Sequence, residues 1–93
     1  MLESDIRNEA RDWAKAEGWL VYPFSSPANR SVPDRIYIKN GRIVFIEFKR
    51  PSGPGRPAGK PTSGQARELR KLRAAGADVH VAYSVEEVKE ILK

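Results

Sequence analysis

Asn40-Gly41 stands between two runs of strand-forming residues and dictates how they pair. Both residues tolerate positive φ, which the centre of a two-residue hairpin turn requires. Arg35-Ile36-Tyr37-Ile38-Lys39 comes before the turn, and Arg42-Ile43-Val44-Phe45-Ile46-Glu47-Phe48-Lys49 follows it. Lys39 then faces Arg42, and counting outward brings Asp34 opposite Glu47. Cross-strand neighbours lie about 5 Å apart at Cβ. Alternation along a strand sends Glu47 and Lys49 to one face. Pro33 rigidifies the approach to Asp34. This hairpin therefore collects two acids and a lysine at its open end.

The other elements fall around it. Residues 4–17 read as an amphipathic helix, with Ile6, Ala10, Trp13 and Ala14 at helical spacing and Gly18 ending the run. Trp19-Leu20-Val21-Tyr22 reads as a first strand stopped by Pro23, and residues 23–34 as a turn-rich loop. The third strand, 42–49, is apolar on both faces and so central. Residues 50–61 are prolines, glycines and cations with little to bury, which predicts a mobile basic loop. A helix follows at about 63–75, capped by Thr62 or Ser63 and closed by Gly76. Asp78–Tyr83 forms a fourth strand, and Ser84-Val85-Glu86-Glu87 is a capping box opening a last helix to about residue 92. The expected fold class is α/β. The order is α-β-β-β-α-β-α around a four-stranded mixed sheet: an antiparallel meander, then a right-handed crossover to a parallel strand. A chain of 93 residues makes a single domain, 1–93, and buries only roughly 60–65% of its unfolded surface, so a subunit interface would help it.

Two carboxylates this close repel unless a cation or a proton lies between them. Mg²⁺ prefers a few carboxylates plus water and substrate phosphate, and the backbone carbonyl of Phe48 offers a third oxygen. Lys49 could stabilise charge building on a phosphate, orient an attacking water, or simply neutralise Glu47. The blander alternative has Asp34 capping the loop and Glu47-Lys49 as an ion pair on an edge strand. Gln65, Leu69 and Leu72 share a helix face, so Gln65 can reach the end of the third strand and bond the lysine, a water or a phosphate. Glu3 and Glu9 are candidates for a further acid from the first helix. His80 reads as a core or edge histidine rather than a ligand, and Trp13, Trp19, Phe24 and Phe45 as core.

A net charge of +5 favours polyanionic partners. Arg30, Arg35, Lys39, Arg50, Arg56 and Lys60 flank the acids in sequence and are candidates for contacts to backbone phosphates. The absence of cysteine excludes disulfides and thiolate metal sites and fits a cytoplasmic protein. No apolar run approaches the roughly 20 residues that span a membrane, and no signal peptide is visible.

The pattern Pro33-Asp34…Glu47-Phe48-Lys49 resembles the PD-(D/E)XK nuclease superfamily. A wider set resembles its compact VRR-NUC family, found in phage proteins and at the end of larger DNA-repair nucleases: Glu3, Gly18, Ser31-Val32-Pro33-Asp34-Arg35, Ile46-Glu47-Phe48-Lys49, Gln65, Gly76 and Val79-His80-Val81. The resemblance covers nearly the whole chain. It implies a restriction-endonuclease-like core and Mg²⁺- or Mn²⁺-dependent hydrolysis of phosphodiesters, with no organic cofactor. It makes Asp34, Glu47 and the Phe48 carbonyl metal ligands, Lys49 the catalytic lysine, Gln65 a supporting polar group and Glu3 the first-helix acid, with Glu9 as second choice. Stand-alone members resemble Holliday-junction resolvases, which implies a homodimer acting on branched DNA in the cytoplasm of a phage host. Ser31 departs from the family's usual glycine before Val-Pro-Asp and changes that loop. The competing readings are a non-catalytic module binding structured DNA and a flap- or end-directed nuclease.

Overall fold

The computed structural model describes residues 2–93. Helix α1 (Glu3–Ala16) is followed by β1 (Leu20–Pro23), β2 (Arg35–Lys39), β3 (Arg42–Phe48), α2 (Ser63–Ala74), β4 (Asp78–Ala82) and α3 (Val85–Ile91). The sheet order is β1-β2-β3-β4, antiparallel except for the parallel β3–β4 pair. β3 is therefore internal, as its apolar character on both faces requires. Asn40 and Gly41, at φ 50° and 81°, make the tight turn and set the register Lys39↔Arg42 through Arg35↔Ile46.

Local chemistry fixes the ends of the elements. Gly18 leaves α1 at φ 93°, so that Trp19 N–H reaches Ala14 C=O at 2.9 Å and Gly18 N–H reaches Lys15 C=O at 3.1 Å. Pro23 is not the stop expected for β1 but its last residue, paired with Arg35; an edge strand tolerates the missing N–H. Ser84 Oγ accepts from Glu87 N–H at 3.1 Å, whereas the Glu87 carboxylate accepts from Tyr83 N–H, one residue earlier than a capping box.

The core lies on one side of the sheet. Ile6, Ala10 and Ala14 of α1 and Val85, Val88 and Leu92 in and beside α3 cover Val21, Tyr37, Val44, Ile46, Phe48 and Ala82. On the other side α2 packs on β4, burying Leu69 and Val79. Most of β1 and β2 on that side stays open. Phe24 and Phe45, expected in the core, form a half-buried pair there, with ring centroids 5.5 Å apart. The strand period decides this, because Phe45 alternates with the core residues Val44 and Ile46.

The basic loop after β3 folds back on itself. Gly53 and Arg56 exchange two backbone hydrogen bonds of 2.9 Å, and Gly59 N–H reaches Arg50 C=O at 2.8 Å. The chain is thus returned to the start of α2, where Ser31 Oγ lies 2.9 Å from where a Cβ on Gly64 would sit. The Ser31 hydroxyl, from the loop before β2, therefore occupies the space a side chain at 64 would need.

Candidate active site

The hairpin carries Asp34 and Glu47 to its open end, one pair beyond the last ladder pair Arg35↔Ile46. Asp34 is held by its own backbone, since its C=O accepts from Phe24 N–H at 2.9 Å. Its Oδ2 accepts from Phe48 N–H at 2.8 Å, so the side chain extends the pairing where the ladder stops. No hydrogen bond falls on its Oδ1 among the described residues.

Glu47 is 2% exposed, the one charged residue that is buried among the described residues. Its Oε2 accepts from Gln65 Nε2 at 2.9 Å and pairs with Lys49 Nζ at 3.3 Å. Its Oε1 is buried with no partner. Burial, and after it the charge of Asp34, pushes the carboxyl up to about 7; Lys49 pulls the other way and is outweighed, and Glu3 adds a smaller push. The site thus contains a carboxylate whose charge is incompletely compensated.

Gln65 was expected to reach the lysine, a water or a phosphate; instead it donates to Glu47. Its amide cannot be turned round. Gln65 Oε1 accepts from Thr62 N–H at 2.9 Å while Thr62 Oγ1 accepts from Gln65 N–H at 3.1 Å, which leaves Nε2 for the acid. This support from Thr62 escaped the reading of its residue alone. The Thr-x-x-Gln capping box was the available signal.

A divalent cation fits the oxygens that remain. Glu47 Oε1 and Asp34 Oδ1 are unspent, and the third oxygen follows from peptide planarity. Lys49 N–H points at Ala82 C=O of β4, at 3.1 Å. The C=O of the same peptide, that of Phe48, must point the opposite way, toward the β2 side where Asp34 lies. Among the described residues no three His, Cys, Asp or Glu side chains gather as a cage. A metal here would draw on the main chain and solvent, as Mg²⁺ commonly does.

The other candidates separate. Glu3, rather than Glu9, is the helix acid whose charge is felt at Glu47; Glu9 is exposed beside Ile6, Pro51 and Tyr83. Arg50 donates to Pro57 C=O at 2.9 Å and lines a groove with Arg56, Leu2 and Asp5. Arg56, Lys60 and Arg30 are exposed. Arg35 lies on the α1 side of the sheet, with Tyr37, and not on the side of Glu47 and Lys49. Lys39 does not flank the site at all. It sits at the far end of β2, about 13 Å along the strand from Arg35, with Nζ 2.6 Å from Glu17 C=O and over the Trp19 ring. His80 lies on the edge strand β4, its Nε2 2.6 Å from Asp78 Oδ1.

No family model matches the chain. It is 41% identical over 80 residues to "Putative nuclease p44" of Acyrthosiphon pisum secondary endosymbiont phage 1, covering 85% of this chain and 80% of that protein. Among solved structures it is similar to one described as a VRR_NUC domain. The TM-score is 0.81 at 27% identity, over 97% of this chain and 92% of the other.

Proposed function

The chain belongs to the VRR-NUC nuclease family, and from that premise we propose that it is a Mg²⁺- or Mn²⁺-dependent endonuclease that cuts branched DNA as a homodimer. The observation that carries the hydrolytic reading is Glu47. Evolutionarily neutral burial of an acid with one bare oxygen beside a second acid would cost stability without return. A non-catalytic DNA-binding module has no use for repelling acids beside phosphates.

Asp34, Glu47 and the Phe48 carbonyl would hold the ion, and its contribution when bound is Lewis acidity at the scissile phosphate. Gln65 holds the Glu47 carboxylate in one rotamer, leaving Oε1 free. Lys49, its side chain 15% exposed, spends one contact on Glu47 and keeps further N–H donors. Those donors can stabilise charge growing on the phosphate or orient the attacking water. In the overall step a water oxygen bonds to phosphorus as one ester P–O bond breaks, and the departing oxygen leaves protonated.

Support for the dimer comes from the side of the sheet that α2 leaves open. Leu20, Tyr22 and Ile43 are half-exposed there. They are joined across the register by Ile36, Ile38 and Phe45 into one apolar face. A second copy is the occupant we assign to it, since two-fold pairing is the commonest closed assembly. Two such sites make the two symmetric nicks that a four-way junction needs. Among the described residues no helix is long and apolar enough to cross a membrane; the phage relative supports action in the host cytoplasm. The test is cleavage of duplex, flap and four-way-junction DNA with Mg²⁺, Mn²⁺ or EDTA. Paired nicks on the junction, dependent on metal, are expected. Cutting that persists in EDTA would overturn the metal assignment, and cutting confined to flaps or ends would replace the junction by a simpler substrate.

A further inference from the structure

We propose that Arg7, Arg11 and Arg35 form a second phosphate site, on the α1 side of the sheet, that grips a backbone phosphodiester of the DNA beside the point of cleavage. The proposal rests on the nuclease reading for its ligand, not for its geometry. Arg35 shares a sheet face with the fully buried Tyr37, beneath α1. Arg7 and Arg11 are successive turns of one face of α1, which also carries Glu3. Four residues of helix rise about 6 Å. A strand passing the acids would therefore meet Glu3 first and then two guanidinium groups in a row.

These cations are poorly satisfied within the protein. Among the described residues Arg35 has no carboxylate partner, only the neighbouring Asp34 C=O at 3.4 Å. Arg7 reaches Glu3 at 3.9 Å, and Arg11 pairs with Asp12, the next residue, at 3.0 Å. The Nε of Arg7 and the hydroxyl of Tyr37 are buried without hydrogen-bond partners. With Glu47 Oε1 they complete the set of such atoms among the described residues. A buried donor that no protein acceptor meets is free to donate to an oxygen from outside the fold. Arg35 feels the crowding: burial and then Arg7 depress its pKa, with Arg11 contributing. Burial raises the Tyr37 hydroxyl to about 12, so it remains a donor at neutral pH. Three guanidiniums, donors only, describe a site for an oxyanion, with the Tyr37 hydroxyl buried under the same face of the sheet. All three arginines keep part of their surface exposed, so a phosphate can reach them.

The experiment is the salt dependence of DNA binding in EDTA, where no cleavage is needed, for wild type, Arg11→Gln and the double variant Arg7→Gln/Arg11→Gln. Each phosphate contact contributes roughly 0.9 to the slope of log K against log salt. With one phosphate gripped, the slope should become shallower in the single variant and by about 0.9 in the double. Replacement of both by lysine should restore it. Mn²⁺ affinity without DNA should stay at the wild-type value. An unchanged slope in a folded variant overturns the site. If the double variant fails to fold, Arg11→Gln, which removes a partly exposed side chain bonded only to Asp12, decides alone. A wild type that never cuts, with variants that still lose slope, would sink the hydrolytic reading and leave this site standing. A wild type that cuts, with slopes that do not move, would do the reverse.

Discussion

Glu47 titrates where few carboxyls do, and the direction has consequences for stability. Its carboxyl is pushed up from 4.5 to about 7, chiefly by burial. Between those values the unfolded chain has released the proton and the folded one still holds it. Stability of the metal-free protein therefore falls as pH rises through this window, by up to about 3 kcal/mol, and levels off above it. Thermal melts in EDTA across that range should show the fall, and Glu47→Gln should flatten it. Metal competes with the same proton, so Mn²⁺ affinity should climb as pH rises through about 7. Asp34→Asn, Glu47→Gln and Lys49→Ala should each abolish cleavage while keeping the fold, because each serves charge and not packing. Wild-type-like turnover by any of them, once shown folded by circular dichroism, would refute the site.

At the scale of elements, the hairpin and the basic loop divide the work. Gly41 at φ 81° is where a side chain is resisted. Gly41→Ala should cost about 1–2 kcal/mol, read as a lower urea midpoint, and should disturb the register that aligns Asp34 with Glu47. The loop has the opposite character. Residues 52–60 contribute no side chain to the core but carry Arg56 and Lys60. Their deletion should weaken DNA binding far more than it lowers the melting temperature. The salt slope should become shallower by about 2 if both cations reach phosphates. A loop-deleted protein with wild-type affinity would remove the loop from the interface.

For the whole molecule, the open apolar side of the sheet is the face on which the proposed dimer rests. Leu20→Glu or Ile43→Glu would place a charge in the face assigned to the second copy. Sedimentation equilibrium at micromolar concentration should then report monomers, and dimers for wild type if the proposed assembly holds. Paired incision of a four-way junction should be lost more completely than single-strand nicking. A wild-type monomer that still resolves junctions by paired incision would contradict the assembly.

The sequence alone determined whatever depends on short range. The turn at Asn40-Gly41, the period of two through Ile43–Lys49, the cap at Ser84 and a cap at Thr62 or Ser63, which the structure places at Thr62, are properties of neighbouring residues. With them came the element order, the central place of β3 and the juxtaposition of Asp34 with Glu47. Tertiary structure decided what depends on which elements meet. That Gln65 serves Glu47, that Lys39 lies at the end of the sheet away from the acids, and that α2 leaves the face of Phe24 and Phe45 only half covered follow from the packing of helices and strands. The partnership of Arg35 with Arg7 and Arg11 is of this kind too. Arg35 lies more than twenty residues along the chain from Arg7 and Arg11, and no local pattern links it to them. Only the seating of α1 on the sheet brings their charges together.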